Sequence, residues 1–289
     1  MDFLRPSSWA DVLAAKAGHP DAVPIAGGTD VMVELNFDRH RPSALIDLTR
    51  VQDLSQWYAR DGLVRLGAGV TYARLIRELG DQLPGLAMAS RTVGSPQIRN
   101  RGTVGGNLGT ASPAGDCHPA LLAAGAEVEV GSVRGSRRIP VGDFFLSVKR
   151  NALQPDELIR AIWIAPATGP EQFSKIGTRN AMVIAVCAFG LALHPDRKTV
   201  GTGIGSAAPT PRSAAEAGAF AGSALEEAGL WESRGQLPPS LATEFAAQVR
   251  AAASPIDDVR GSAAYRLHSL SVMARRCLVW AWNDYRKAA

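Results

Sequence analysis

Two glycine-rich segments hold the residues best suited to chemistry. The first runs Pro24-Ile25-Ala26-Gly27-Gly28-Thr29-Asp30-Val31. The second runs Thr103-Val104-Gly105-Gly106-Asn107-Leu108-Gly109-Thr110-Ala111-Ser112-Pro113-Ala114-Gly115-Asp116. Glycines reach positive-φ turns and let a ligand lie on bare backbone. Successive amide N–H groups in such turns form concave nests for anions, and a pyrophosphate is a natural guest. Thr29, Thr103, Thr110 and Ser112 set hydroxyls beside those amides. Asp116 adds a carboxylate suited to ribose or ribityl hydroxyls. Each segment alone also fits a pair of tight turns; the two together favour a dinucleotide-type ligand.

Other chemistries find little support. There is no G-x-x-x-x-G-K-[ST] loop, which disfavours a P-loop ATPase or kinase. Gly201-Thr-Gly-Ile-Gly-Ser206 comes near G-x-G-x-x-G but ends in Ser and sits in a hairpin pattern, so a Rossmann reading fails. His19, His40, His118, His194 and His268 never pair at metal-ligand spacing. No G-x-S-x-G elbow is present. Cys117 reads as a small space-filling residue and His118 as a helix-start residue. Lys175 and Arg179 flank Gly177; they fit either a contact to an anionic ligand or a solvated basic turn. No residue is singled out as catalytic and none as a metal ligand.

Composition narrows the class further. Lys+Arg 31 against Asp+Glu 27 gives +4, with the signs interspersed. The densest basic stretch, Arg134 to Arg138, reads as a solvated hairpin, so no nucleic-acid partner is expected. The longest apolar run, Ala181 to Leu193, has thirteen residues. A membrane-spanning helix needs about 20. The N-terminus carries Asp2 and Arg5-Pro6 with no apolar signal core, and Cys117, Cys187 and Cys277 form no disulfide framework or C-x-x-C pair. A cytoplasmic, reduced protein is expected.

The elements that must position the two loops follow from periodicity and punctuation. Ser8, with Asp11 three residues on, predicts a helix over Trp9 to Ala17 stopped by Gly18. Strands are predicted at Ala22 to Ala26, Ala44 to Leu48 and Leu63 to Ala68, with a helix from Thr71 to Leu79. Residues 94 to 115 show no confident element, and long irregular stretches are often functional. An apolar helix (Pro119 to Ala124), two strands (Ala126 to Val130 and Arg138 to Val141) and a strand at Leu158 to Ile164 follow. Ala165 to Pro170 looks like a linker. Beyond it, Val186 to His194 and Thr199 to Ser206 form a hairpin about Pro195-Asp196-Arg197-Lys198. Three helices close the chain, at about Ser213 to Gly229, Pro239 to Ala253 and Ser262 to Lys287. In the last, Leu267, Leu270, Ala274, Leu278 and Ala281 share a face, and Trp280 and Trp282 read as packing residues.

These segments resemble a known family. Ala26-Gly27-Gly28-Thr29-Asp30, Thr103 to Leu108, and Ala111-Ser112-Pro113-Ala114-Gly115-Asp116 look like the two FAD-binding motifs of molybdenum hydroxylase flavoprotein subunits. Phe173 to Ala185 resembles the opening of that family's C-terminal domain. Gly205 to Pro211 and Asp258 to Arg266 resemble later landmarks in the same order. The bacterial xanthine dehydrogenase FAD subunits are the most similar members, chiefly through Lys175 to Ala185.

The resemblance implies an α+β (mixed α/β) fold. Residues 1–168 would form a vanillyl-alcohol-oxidase or PCMH-type FAD-binding domain, with subdomains of about 1–55 and 56–168. Residues 171–287 would form a smaller C-terminal α/β domain, a sheet packed by helices. By the same resemblance, Ile25, Ala26, Gly27, Gly28, Thr29, Asp30 and Val31 wrap the pyrophosphate. Thr103, Gly105, Gly106 and Asn107 face it from the other side, with Thr110 beside them. Asp116 holds hydroxyls, and Ile159 and Lys175 lie against the flavin and its sugar chain. Val93 stands where some relatives carry an aromatic residue. The implied partners are a small subunit with [2Fe-2S] clusters and a large subunit with the molybdopterin cofactor. Electrons would pass through FAD to NAD+ or oxygen. An alternative is a self-contained FAD-dependent oxidase or reductase of the same fold.

Overall fold

The computed structural model of the chain describes residues 1–288. It begins with a small parallel sheet of β1 (Asp2–Leu4), β2 (Val23–Ile25) and β3 (Ala44–Asp47), in the order β1-β3-β2. Parallel strands need crossovers; α1 (Trp9–Gly18) and α2 (Val31–Asn36) supply them. Ser8 caps α1: its hydroxyl accepts from the Asp11 amide at 3.1 Å and donates to the Asp11 carboxylate at 2.7 Å. The central strand β3 is buried along its whole length, as its unbroken apolar start demands.

An antiparallel sheet follows. Its first hairpin is β4 (Trp57–Arg60) with β5 (Leu63–Gly67). Five helices come next: α3 (Tyr72–Glu78), α4 (Pro84–Arg91), α5 (Pro96–Arg101), α6 (Val104–Thr110) and α7 (Cys117–Ala124). The chain then forms β6 (Glu127–Ser132) and β7 (Gly135–Pro140). The short elements α8 (Val141–Phe144), β8 (Phe145–Ser147) and β9 (Arg150–Asn151) lead to β10 (Leu158–Ile164). The strand order is β4-β5-β10-β6-β7. Val64, Leu66, Val128, Val130, Ile162 and Ile164 alternate onto one face and form the core with the helices. The basic hairpin β6–β7 is held by ion pairs, Arg134 with Asp156 at 2.7 Å and Arg137 with Glu157 at 2.8 Å.

Residues 94 to 115 correct the expectation of a stretch without regular structure, since α5 and α6 lie within them. Glycine costs a helix about 1 kcal/mol relative to alanine, and Gly105, Gly106 and Gly109 hid α6; α5 was hidden by its shortness, six residues with none buried. A cap and burial outweigh the glycine cost in α6, and a cap and a leading proline set α5. Ser95 accepts from the Ile98 amide at 3.3 Å and Pro96 opens α5. Thr103 accepts from the Gly106 amide at 2.9 Å, and Val104 and Leu108 of α6 are fully buried.

The C-terminal part has an antiparallel sheet, β11 (Glu171–Ile176), β12 (Cys187–His194) and β13 (Thr199–Gly205), in that order. Helices α9 (Ala215–Glu227), α10 (Leu230–Ser233), α11 (Pro239–Ala251) and α12 (Ala263–Lys287) pack on it. The β12–β13 hairpin and the three long helices fall where periodicity places them. The aromatic expectation holds for Trp282, which is buried against Trp231 and Tyr285. It fails for Trp280, which is 45% exposed.

The C-terminal sheet is bound tightly to the rest. A Cβ on Gly190 or Gly203 would run into the backbone of Pro119 in α7, and one on Gly201 into the Ala123 carbonyl. The near-match to a nucleotide loop at Gly201–Ser206 is therefore a packing surface for α7. Nearby, Glu171 of β11 accepts from the Gly85 amide of α4 at 2.7 Å. Burial pushes this carboxyl up to about 7, while the Gly85 amide opposes the shift.

A group whose pKa is higher folded than unfolded favours folding most below its unfolded value. Glu171 therefore stabilises the fold most below pH 4.5, and that contribution is lost as pH rises through about 7. Thermal unfolding at about pH 5 and about pH 8 checks this. Glu171→Gln should gain on the parent by roughly 1–3 kcal/mol at the higher pH relative to the lower. Parallel pH profiles for the two proteins would contradict it.

Candidate functional site

The two glycine loops face each other across a cleft of about 890 Å³ between the two N-terminal sheets. Ala26, Gly27, Gly28, Thr29, Asp30 and Val31 line one side. Thr103, Gly105, Gly106, Asn107, Thr110 and Asp116 line the other, and Ile159 forms part of the floor. Ile25 and Lys175 do not line it. Ile25 ends β2 with its chain in the sheet, and Lys175 lies behind Asp116.

Backbone geometry brings the loops together. The chain leaves β2 and turns into α2 through Gly27-Gly28-Thr29-Asp30. A Cβ on Gly27 would collide with the Arg101 carbonyl, so only glycine lets this turn touch the C-terminal end of α5. Gly28 has φ +73°, the left-handed region. The amides of Gly28 and Thr29 donate to no group among the described residues. Val104 and Gly105 open α6, where amides have no intrahelical acceptor. Gly105 serves a further need, because a Cβ there would meet Ala68 at 2.6 Å. Its bareness allows α6 to pack on the end of β5.

Side chains bridge the cleft. Asp30 makes no cap for α2; it accepts instead from the Thr110 hydroxyl at 2.9 Å. Lys149, in the turn between β8 and β9, donates to Glu34 of α2 at 2.9 Å. Lys16 also reaches the lining, but its ammonium donates to the Pro20 and Ala22 carbonyls. The lysines of the lining are thus engaged, and an anionic group there would be met by amides and hydroxyls. A β-bulge between Ile159 and Ala161 sets Ile159 toward the floor. Leu54, Val93, Leu153 and Leu158 complete an apolar region.

Asp116 and Lys175 form a buried ion pair of 2.7 Å, with side chains 10% and 7% exposed. Lys175 also donates to the Thr92 carbonyl at 3.2 Å. Burial pushes the Asp116 pKa up, and Lys175 works against that. The second carboxylate oxygen of Asp116 and the Asn107 side-chain carbonyl are buried without partners. His118 steadies this corner: its Nε2 lies 3.2 Å from the Asn107 backbone carbonyl, and its ring packs on Phe145. Burial pushes its pKa down to about 4, so it is neutral near pH 7. Cys117 is fully buried and its thiol is pushed up to about 12, in keeping with a space-filling role.

Arg179 settles on the solvated-turn reading. It is exposed, and its guanidinium donates to the Met182 carbonyl within its own loop. That loop still matters, since Met182, Val183 and Ile184 line the cleft. Sequence reasoning did not single them out, nor the Lys149–Glu34 pair. An apolar triplet in the loop between β11 and β12 is the one visible signal for the former. A pair separated by 115 residues leaves none for the latter.

The site fits FAD. Its volume lies at the upper end for small-molecule clefts, about 300–1,000 Å³. Unpaired amides beside a positive-φ glycine suit a pyrophosphate, orphaned oxygens on Asp116 and Asn107 suit hydroxyl donors, and the apolar floor suits a ring system.

Known proteins are similar to this chain. The family model described as "FAD binding domain in molybdopterin dehydrogenase" matches residues 1–167. The nicotinate dehydrogenase FAD-subunit of Eubacterium barkeri is 33% identical over 204 residues, 68% of this chain and 69% of that protein. The xanthine dehydrogenase FAD-binding subunit of Escherichia coli O157:H7 is 31% identical over 221 residues, 72% of this chain and 75% of that protein. A chain of the crystal structure of the Cu,Mo-CO dehydrogenase superposes with a TM-score of 0.87 at 27% identity, covering 100% of this chain and 98% of that one.

Adding one methyl group separates the two adjacent glycines. Gly27→Ala should destabilise by about 3 kcal/mol, because backbone on both sides must move. Gly28→Ala should cost about 1 kcal/mol, the strain of a left-handed alanine, with Met32 3.4 Å from the new Cβ. Chemical denaturation of both variants checks the ranking; equal losses would contradict it.

Proposed function

The chain belongs to the family of FAD-binding domains in molybdopterin dehydrogenases, and we propose that it is the electron-transfer subunit of a xanthine dehydrogenase-like complex. It is an oxidoreductase flavoprotein subunit of the molybdenum hydroxylase type. In the proposed assembly the chain stands between [2Fe-2S] clusters on a small partner subunit and a final acceptor, NAD+ or oxygen. Substrate is oxidised at the molybdopterin cofactor of a large partner subunit. The location consistent with three buried, unbridged cysteines is the cytoplasm.

The cleft between the two glycine loops carries this reading. FAD bound there would supply redox chemistry that accepts and releases electrons one or two at a time. The chain's own residues bind and orient. The Gly28 and Thr29 amides take the pyrophosphate from one side, and Thr103, Gly105, Gly106 and Thr110 from the other. Asp116 and Asn107 accept from sugar-chain hydroxyls, and Lys175 aims Asp116 and opposes the upward push of burial on its pKa. Ile159 packs against the ring, while Met182, Val183 and Ile184 shield it from water. Ile25 acts from behind, fixing the start of the first loop. No side chain of this chain needs to move a proton for the transfer.

Domain-scale packing supports the same reading. The C-terminal domain, residues 171–287, reaches into the cofactor domain, residues 1–168, through Lys175 and Glu171. Its Met182, Val183 and Ile184 line the cleft.

Anaerobic spectroscopy on the complex with its two partner chains tests the proposal. Xanthine or nicotinate should bleach the flavin absorbance in the complex and leave the isolated, FAD-loaded chain unchanged. NAD+ or oxygen should then restore the colour. Turnover of a small substrate by the isolated chain would overturn the proposal in favour of a self-contained oxidase or reductase.

A further inference from the structure

A second groove, of about 530 Å³, lies between α11 and α12 and shares no residue with the cofactor cleft. Arg275, Arg276 and Arg286 line it, with Val279, Trp280 and Leu237. No aspartate or glutamate lines it. Among the described residues, Arg275 and Arg276 form no ion pair. Arg286 gives only its Nε, to the Arg234 carbonyl. The nearest acid on the same helix, Asp284, is engaged by Gln172 at 3.1 Å and lies 4.0 Å from Lys287. The whole chain carries only +4, so three arginines without a counter-charge in one groove are a strong local concentration.

Trp280 stands in the middle of this charge. Trp282, two residues on, is buried and donates to the Gly235 carbonyl. Trp280 is 45% exposed and donates to nothing among the described residues. Exposed tryptophan flanked by arginine is the composition of interface hot spots. A small anion would neutralise the arginines but leave Trp280, Val279 and Leu237 bare. From Arg275 to Arg286 the helix advances about 16 Å. That length matches about five residues of extended chain.

We propose that this groove docks an acidic, extended segment of a partner subunit, with one apolar side chain seated against Trp280. The segment's carboxylates pair with Arg275, Arg276 and Arg286, and its apolar side chain covers Val279 and Leu237. The identity of the partner rests on the assembly proposed above; the charge and shape of the groove do not.

Association of the FAD-loaded chain with its purified small and large partner subunits is the test. Arg275→Glu combined with Arg276→Glu should weaken binding of one partner at least about tenfold. Trp280→Ser should do so comparably, and Trp280→Phe should restore most of the affinity. Parent affinity should fall with added salt, and that dependence should be smaller in the double variant. Overlapping peptides covering the weakened partner should yield an acidic peptide that competes with the whole subunit. Flavin content should stay at the parent level in every variant, which separates this docking from the FAD reading; a parent chain without flavin would fail that reading alone. Unchanged affinity for both partners in folded variants would overturn the proposal. So would displacement of the partner by inorganic phosphate as readily as by the peptide.

Discussion

Backbone contact at Gly27 is the constraint on which the rest of the structure depends. The first glycine loop touches the Arg101 carbonyl with no room for a side chain between them. Two sheets of different topology, one parallel and one antiparallel, are thereby joined edge to loop. Their junction is not filled by side chains, and a cleft with bare amides results. The same sparing use of side chains sets α6 on the end of β5 at Gly105. Glycines at these positions act on packing and on the site together: they let backbones approach, and approaching backbones leave amides facing the cleft.

The C-terminal part packs against that cleft. Helix α7 begins at the corner of the cleft, just after Asp116, and lies on the glycine-lined face of β12 and β13. Lys175 reaches back from β11 into the corner where Asp116, Asn107 and His118 meet. Taking two charges out of water is costly, and removing one partner of such a pair costs about 3–5 kcal/mol. The pair holds one oxygen of Asp116 in place and leaves the other free for a hydroxyl donor. Fold stability and site geometry therefore share one interaction. The exposed cationic groove between α11 and α12 lies away from this corner and is free to serve another chain.

Much of this was legible in the residues, and the exceptions have physical causes. Helix starts at Ser8 and Thr71 could be read because capping is local; each hydroxyl accepts from the amide three residues on. The hairpin around Pro195–Lys198 and the strand Leu158–Ile164 were readable from period and punctuation. The two glycine loops that line the cleft were readable because bare backbone requires glycine. Helix α6 was not, because burial and a cap overrode its poor intrinsic propensity, nor was α5, which is six residues long with none buried. Strands β4 and β11 were missed because they are half-exposed and lack clean alternation. The Lys175–Asp116 and Lys149–Glu34 pairs join residues 59 and 115 positions apart. Nothing local encodes them; they exist only once the sheets are assembled.

Retention of FAD against FMN by the purified chain tests the central claim most directly. After incubation with either flavin and gel filtration, FAD should co-elute with the protein and FMN should separate from it. The proposed cradle between the glycine loops holds a pyrophosphate, which FMN lacks. Loss of both flavins, or equal retention of both, would contradict a pyrophosphate cradle between Gly28 and α6.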